Sequence, residues 1–137
     1  MFRILLIEDN PGDVLLFREA LRGRGLAYEL IVAEDGEKAM TILDQEPNGA
    51  TGNGRPDLIV LDVNLPRHGG QDVLRRLRSN PEFTAVPVVV LTSSASPADK
   101  ARATGLGANL YIQKSSNLDQ ILEVGETVEN LLKGSRP

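Results

Sequence analysis

The segment LIVLDVNLP, residues 58–66, places an acidic side chain directly after a run of four aliphatic residues. The run from Leu58 to Leu61 has the length and character of a β-strand that is covered on both faces. Asp62 follows at once. A carboxylate at the end of a buried strand is either paired for packing reasons or held at the edge of a sheet for chemistry.

Short aliphatic runs alternate with longer segments of helical period along the whole chain. The predicted strands are 2–7, 28–33, 58–61, 86–91 and 109–112. The first helix is predicted to begin with Asn10 as its cap and Pro11 in its first turn. The other predicted helices are 35–44, 70–79, 96–105 and 117–133. Alternating strands and helices predict the α/β class with a parallel sheet. Five such units favour a doubly wound five-stranded sheet of the flavodoxin-like order 2-1-3-4-5.

Two helices carry apolar residues at spacings of three and four, which we expect to face the core. In the first helix these are Val14, Leu15, Phe17 and Leu21, with Asp13 as a candidate capping carboxylate. In the last helix they are Leu118, Ile121, Leu122, Val128, Leu131 and Leu132. The cluster of Arg75, Arg76 and Arg78 is interpreted as a solvated helix face.

Composition and charge exclude several classes of function. The 137 residues, 41% of them apolar, suit one globular domain, and the absence of cysteine excludes disulfides and thiolate metal sites. The short apolar run near the start meets Glu8 and Asp9 too soon for a signal peptide or a membrane span, so we expect a cytoplasmic protein. The net charge of −4 gives no support to nucleic-acid binding. The glycine-rich stretch 47–56 lacks the Gly-Lys-Ser/Thr ending of a phosphate-binding loop and is interpreted as a surface loop.

Chemically useful side chains follow four of the five predicted strands. They are Glu8 and Asp9 after the first strand, Asp62 after the third, Thr92 after the fourth and Lys114 after the fifth. In open parallel sheets ligands bind outside the carboxyl ends of the strands, and the predicted order puts strands one and three side by side. Each residue alone would be an ordinary cap, loop or surface residue. Their joint occurrence favours a functional site.

Three neighbouring carboxylates need a cation, because two like charges about 4 Å apart repel by roughly 4 kcal/mol at an effective dielectric near 20. With no cysteine and one histidine the chain lacks zinc ligands, whereas an all-oxygen cluster suits Mg²⁺. Asp62 is then a candidate nucleophile toward phosphorus. Lys114 and Thr92 are candidate partners for phosphoryl oxygens.

The chain resembles the response-regulator receiver domains of the CheY-like family over about residues 3–132. The resemblance rests on LLIEDN with its acid pair, LIVLDVNLP, VVVLTSS and YIQK. It implies one receiver domain over residues 1–137, acting in two-component signal transduction. It also implies that Asp62 accepts a phosphoryl group from a sensor histidine kinase, and that the protein is a switch without substrate turnover of its own.

The same resemblance assigns further residues. Glu8, Asp9, Asp62 and the backbone carbonyl of Asn64 would hold the magnesium ion. Thr92 and Tyr111 would rearrange on phosphorylation and report it to the surface of helix four, strand five and helix five. We expect no attached output domain, so the output is a contact with a downstream protein.

The motif EDNPGDVLL, with serine after the site lysine, is similar to receivers encoded beside phytochromes. This similarity implies a phytochrome-type kinase and a homodimer through the face of helix four, strand five and helix five. Most relatives have proline in place of Ser115, preceded by a cis bond.

Two other functions stay open from the sequence. A magnesium-dependent phosphohydrolase with an aspartyl intermediate would turn over small phosphoesters, but such enzymes usually carry two aspartates two residues apart on the first strand. Here the second position is Asn64 and the strand is the third. A receiver-like module that binds partners without phosphorylation is the other alternative. The complete set of acids, threonine and lysine argues against it.

Overall fold

The structure, a computed structural model, describes residues 1–45, 55–63, 69–115 and 117–134. Strands and helices alternate through these residues. The strands are β1 Phe2–Ile7, β2 Tyr28–Ala33, β3 Leu58–Leu61, β4 Val88–Thr92 and β5 Leu110–Gln113. The helices are α1 Pro11–Leu21, α2 Gly36–Gln45, α3 Gly70–Ser79, α4 Pro97–Gly105 and α5 Leu118–Gly134. The predicted α/β alternation is confirmed.

The strands form one parallel sheet in the order β2-β1-β3-β4-β5, as predicted. Each strand therefore ends at the same side of the sheet, which we call the C-terminal edge. The pairing of Ile7 with Leu61 sets β1 and β3 level there. Within the described ranges, no helix combines the length and the apolar character needed to cross a bilayer.

Two apolar layers cover the sheet, one on each face. Side chains of β1 and β3 alternate between them: Leu5 and Ile59 pack with α2, α3 and α4, whereas Ile4 and Leu58 pack with α1 and α5. Both faces are thus buried, which explains why these strands read as continuous aliphatic runs.

Three helices begin one residue later than predicted, because the first predicted residue is a cap outside the helix. Asp35, Ser96 and Asn117 each accept a backbone hydrogen bond from the first turn through their side-chain oxygens. Such capping satisfies amide groups that have no partner within the helix.

Strands β4 and β5 are displaced from their predicted positions of 86–91 and 109–112. Val86 closes a turn by donating its amide to Phe83, and Pro87 has no amide to donate. Asn109 stands before β5 and accepts the Val88 amide through its side-chain oxygen. Local turn chemistry therefore delays the start of both strands.

The predicted inward stripe of α1 is wrong at Leu15, whose surface is 63% exposed. Phe17, Ala20 and Leu21 form the buried face. At 100° per residue Leu15 lies on the opposite side of the helix from these three, so it cannot reach the core.

The predicted stripe of α5 is wrong at Leu118 and Leu122, which are 68% and 43% exposed. The buried face is centred on Gly125, Val128 and Leu132. A Cβ on Gly125 would lie 1.9 Å from the carbonyl oxygen of Ala20. The close approach of α1 at this glycine turns the two leucines outward.

The arginines of α3 do not form the uniform solvated face that was predicted. Arg75 and Arg76 are exposed, but Arg78 is partly buried. Its guanidinium donates to the carbonyl oxygens of residues 83, 84, 86 and 107 and to the side-chain oxygen of Asn109. Arg78 therefore holds together the loops that precede β4 and β5.

Candidate functional site

Backbone hydrogen bonds extend the sheet past the last strand residues and orient the side chains at the C-terminal edge. The Glu8 amide donates to Ala33, and the Asp62 amide donates to Ile7, at 2.9 and 3.1 Å. Along the same edge, where β4 pairs with β5, the Lys114 amide donates to the Thr92 carbonyl oxygen at 2.7 Å. The residues that follow β1, β3 and β5 are thus held in register.

Three carboxylates meet at this edge, as the sequence predicted. Glu8, Asp9 and Asp62 each offer an oxygen, and these oxygens lie within 4.8 Å of one another. We call these three residues the acid cluster. Glu8 and Asp62 are almost fully buried, whereas Asp9 is exposed. Closely spaced oxygen donors, one of them open to solvent, suit a hard divalent cation with water in its remaining positions.

Lys114 lies against the acid cluster. Its Nζ contacts the Glu8 carboxylate and lies 2.8 Å from Asp13 Oδ2 and 2.9 Å from Asp62 Oδ2. Burial alone would lower the pKa of this ammonium group, but the hydrogen bonds that it donates to Asp13, Glu8 and Asp62 raise it overall. The lysine is therefore firmly charged.

The Glu8 carboxyl of the acid cluster has a raised pKa. Burial raises its pKa from 4.5 to about 7, and the charge of Asp62 adds to the rise, although the hydrogen bond and charge of Lys114 oppose it. One lysine thus compensates the buried acids only in part. A divalent cation would supply the remaining positive charge.

Asp13 has a different role from the predicted capping one. Asn10 alone caps α1, accepting the amides of Gly12 and Asp13 through its side-chain oxygen. The Asp13 carboxylate instead pairs with Lys114, 101 residues away in sequence. The available signal was its place in the first turn of a helix that begins beside the acid cluster.

Thr92 and Tyr111 are linked through the loop between β4 and α4. Thr92 is fully buried, and its Oγ1 lies 3.4 Å from the Ser94 amide. The Tyr111 hydroxyl donates to the Ser94 carbonyl oxygen at 3.1 Å, while its ring packs on the core layer of α2 to α4. Ser94 Oγ in turn lies 2.6 Å from Asp99 of α4.

Some of the predicted features lie outside the described residues. Asn64 and most of the 47–56 loop lie outside the described residues. No cis peptide bond occurs among the described residues, so the link from Lys114 to Ser115 is trans.

Comparison with known proteins agrees with this arrangement. Residues 4–126 match the response regulator receiver domain family. The chain is 39% identical over 128 residues to the response regulator Rcp1 of Synechocystis sp. (strain PCC 6803), with 93% of this chain and 86% of Rcp1 covered.

Two solved structures of such relatives superpose closely. The Mn²⁺-bound form of Rcp1 has a TM-score of 0.82 at 37% identity, with 95% of this chain and 93% of that chain covered. The phosphorylated cyanobacterial phytochrome response regulator RcpA has a TM-score of 0.85 at 37% identity, with 99% and 96% covered. The protein therefore belongs to the response regulator receiver domain family of two-component signalling, with the CheY-like fold and phytochrome-associated regulators among its similar relatives.

Proposed function

We propose that Asp62 accepts a phosphoryl group from a phosphohistidine of a sensor histidine kinase in a reaction that depends on Mg²⁺. The observation that carries the proposal is the convergence at the C-terminal edge. The Asp62 carboxylate lies beside two other acids and 2.9 Å from the Lys114 ammonium. An ordinary loop aspartate would have no such surroundings.

The transfer is a displacement at phosphorus. An Asp62 carboxylate oxygen forms a bond to phosphorus while the bond from phosphorus to the imidazole nitrogen breaks, and the imidazole leaves with the electron pair of that bond. The product is an acyl phosphate. Lys114 then pairs with one phosphoryl oxygen, and the Thr92 hydroxyl donates to another.

For the metal we propose Glu8, Asp9, Asp62 and the backbone carbonyl of Asn64 as ligands. The oxygen donors of the acid cluster support Mg²⁺, and the existence of a Mn²⁺-bound form of Rcp1 supports a divalent ion. When bound, Mg²⁺ would neutralise charge on the incoming phosphoryl group. Asn64 stays a prediction because it lies outside the described residues.

The kinase needs a contact surface near Asp62, and we propose that four exposed leucines contribute to it. Leu15 and Leu16 lie on α1, and Leu118 and Leu122 lie on α5. Both helices begin at the C-terminal edge, and Leu16 lines the same cleft as Lys114. The description of RcpA as a phytochrome response regulator supports a phytochrome-type kinase.

This surface is tested by comparing two phosphodonors. Leu15→Glu should slow transfer from the kinase about tenfold, because a charge replaces an apolar contact, while labelling by acetyl phosphate stays unchanged. Glu19→Gln, an exposed change further along α1, is the control. Equal slowing with both donors would contradict the assignment.

Phosphorylation is expected to move the loop between β4 and α4. The phosphoryl group adds about −1.5 to −2 charges and strong acceptor oxygens. When Thr92 turns toward them, its contact with the Ser94 amide is lost, and Tyr111 loses its fixed acceptor on Ser94. This change alters the surface of α4, β5 and α5, which would contact the downstream protein.

The same surface is our candidate for a homodimer interface. β5 is an edge strand, and Leu110 on it is 40% exposed. An edge strand offers backbone groups and an apolar side chain to a second copy. Beryllofluoride, which mimics the phosphoryl group, should therefore shift the protein toward dimer in sedimentation velocity. Identical profiles with and without it would count against this output.

The central test is incubation with acetyl phosphate and Mg²⁺, followed by intact mass. The wild type should gain one phosphoryl group, and Asp62→Asn should gain none at this site. An unmodified wild type would reject the nucleophile assignment and favour a module that only binds partners. Sustained release of phosphate from small phosphoesters would favour the phosphohydrolase. We expect a switch without such turnover and keep the cytoplasmic location predicted from the sequence.

A further inference from the structure

We infer that Asp13 is a positioning residue for Lys114: it holds the ammonium group at the C-terminal edge while the acid cluster binds a divalent cation. This inference rests on the proposed function. It concerns a residue outside the acid cluster, on the first turn of α1.

The hydrogen bonds of Lys114 set Asp13 apart. An ammonium group has three N–H donors, and those of Lys114 face carboxylates of Glu8, Asp13 and Asp62. Two of these carboxylates belong to the acid cluster, whose oxygens a divalent cation would use. Among the residues that the structure describes, Asp13 is the carboxylate partner of Lys114 that the cation leaves available.

Metal binding and the present position of Lys114 are in conflict. A divalent cation among the acid oxygens would repel the ammonium group, and it would also compete for the oxygens of Glu8 and Asp62. Lys114 must then shift, yet it has to stay close enough to meet a phosphoryl oxygen on Asp62. A carboxylate on the far side of the ammonium group meets both requirements.

The surroundings of Asp13 suit this role. Asp13 and Lys114 both line a cleft of about 590 Å³ between α1 and α5, so the lysine side chain has room to move away from the acid cluster while it keeps its contact with Asp13. The Asp13 side chain is 29% exposed, whereas those of Glu8 and Asp62 are nearly inaccessible. Its charge is therefore partly hydrated, and the capped first turn of α1 fixes its backbone.

A double-mutant cycle tests the inference. We would measure the Mg²⁺ affinity of the unphosphorylated protein by NMR titration for wild type, Asp13→Asn, Lys114→Met and the double variant. Asp13→Asn should weaken Mg²⁺ binding roughly tenfold in the wild-type background, because Lys114 then loses the charged partner that lies outside the acid cluster. In the Lys114→Met background the same change should alter the affinity less than about twofold.

The control is Asp119→Asn, which removes an exposed acid from the first turn of α5 and should have little effect in either background. Equal weakening by Asp13→Asn in both backgrounds would overturn the inference, since the aspartate would then act only through its charge. No weakening in the wild-type background would also overturn it. Lys114→Gln replaces Lys114→Met if the latter does not fold.

A crystal structure with Mg²⁺ gives an independent check. The contact between Lys114 and Asp13 should persist, and the contact between Lys114 and Glu8 should open. Departure of Lys114 from Asp13 would overturn the inference. A wild-type protein that binds no Mg²⁺ at the acid cluster would instead reject the proposed metal site, and the inference with it.

Discussion

Lys114 and Arg78 are both partly buried cations, but their partners differ. Lys114 at the C-terminal edge contacts three carboxylates on three separate segments of the chain. Arg78 at the end of α3 donates mainly to backbone carbonyl oxygens of the loops that it joins. Carboxylates can exchange one cation for another, whereas the contacts of Arg78 hold two loops together. The first arrangement suits a switch, and the second suits a structural support.

The largest effect is expected for Lys114→Met. Loss of the positive charge that meets the phosphoryl group should slow labelling by acetyl phosphate roughly 10²- to 10³-fold, as for removal of one preorganised donor in other active sites. Intact mass over time measures the rate. A labelling rate within threefold of wild type would contradict the role in phosphorylation that we assign to Lys114.

Arg78→Ala should instead lower stability. Removing the guanidinium takes a hydrogen-bond donor from partly buried carbonyl oxygens, so the free energy of unfolding should fall by roughly 2–3 kcal/mol. Labelling of the folded protein should be nearly unchanged. Urea unfolding followed by circular dichroism measures the stability, and intact mass measures the labelling. Arg76→Ala on the exposed side of α3 is the matched control, with an expected change below about 0.5 kcal/mol.

Gly107→Ala tests the same Arg78 contacts by changing a residue that packs against the arginine side chain. Gly107 has φ +105°, and a Cβ there would lie 2.9 Å from Cγ of Arg78. Backbone strain and displacement of Arg78 should together cost about 1–3 kcal/mol in the same unfolding experiment. Gly105→Ala meets open space and serves as control. Equal stability of both variants would show that the Arg78 contacts can rearrange freely.

Arg24 shares features of Lys114 and Arg78 in its partners. Its contribution is tested through the pH dependence of stability. It contacts the Glu129 carboxylate and the carbonyl oxygens of Ala20 and Leu122. Hydrogen bonds from Lys133 and Arg24 lower the pKa of Glu129. A lowered pKa in the folded state means that the unfolded state binds more protons, so this contribution is present above the unfolded pKa and is lost as pH falls through the folded value.

Glu129→Gln should therefore be less stable than wild type at pH 6–7, with a difference that shrinks toward pH 4. The urea midpoints of the variant and the wild type at several pH values measure this difference in stability, which we expect to be small. A difference that is constant with pH would mean that the pair contributes through packing and not through charge.

The sequence alone predicted much of the site because the signals are local. Five aliphatic runs with helices between them specify parallel strands, and parallel strands end at one edge. The meeting of Glu8, Asp9 and Asp62 followed from that rule, without knowledge of any contact. The cap at Asn10 was also readable, because its side-chain oxygen satisfies an amide only two residues away, whereas Asp35, Ser96 and Asn117 were placed inside their helices.

Other features depend on packing between segments far apart in the chain, and only the tertiary structure decided them. Gly125 brings α1 against α5 and so turns Leu118 and Leu122 outward, although their spacing matches that of a core stripe. The pairing of Asp13 with Lys114 and the contacts of Arg78 depend on where helix ends and loops meet. Sequence periodicity determines which face a helix can bury, but the neighbour that arrives, and its distance, determine which side chains are covered and which charges meet.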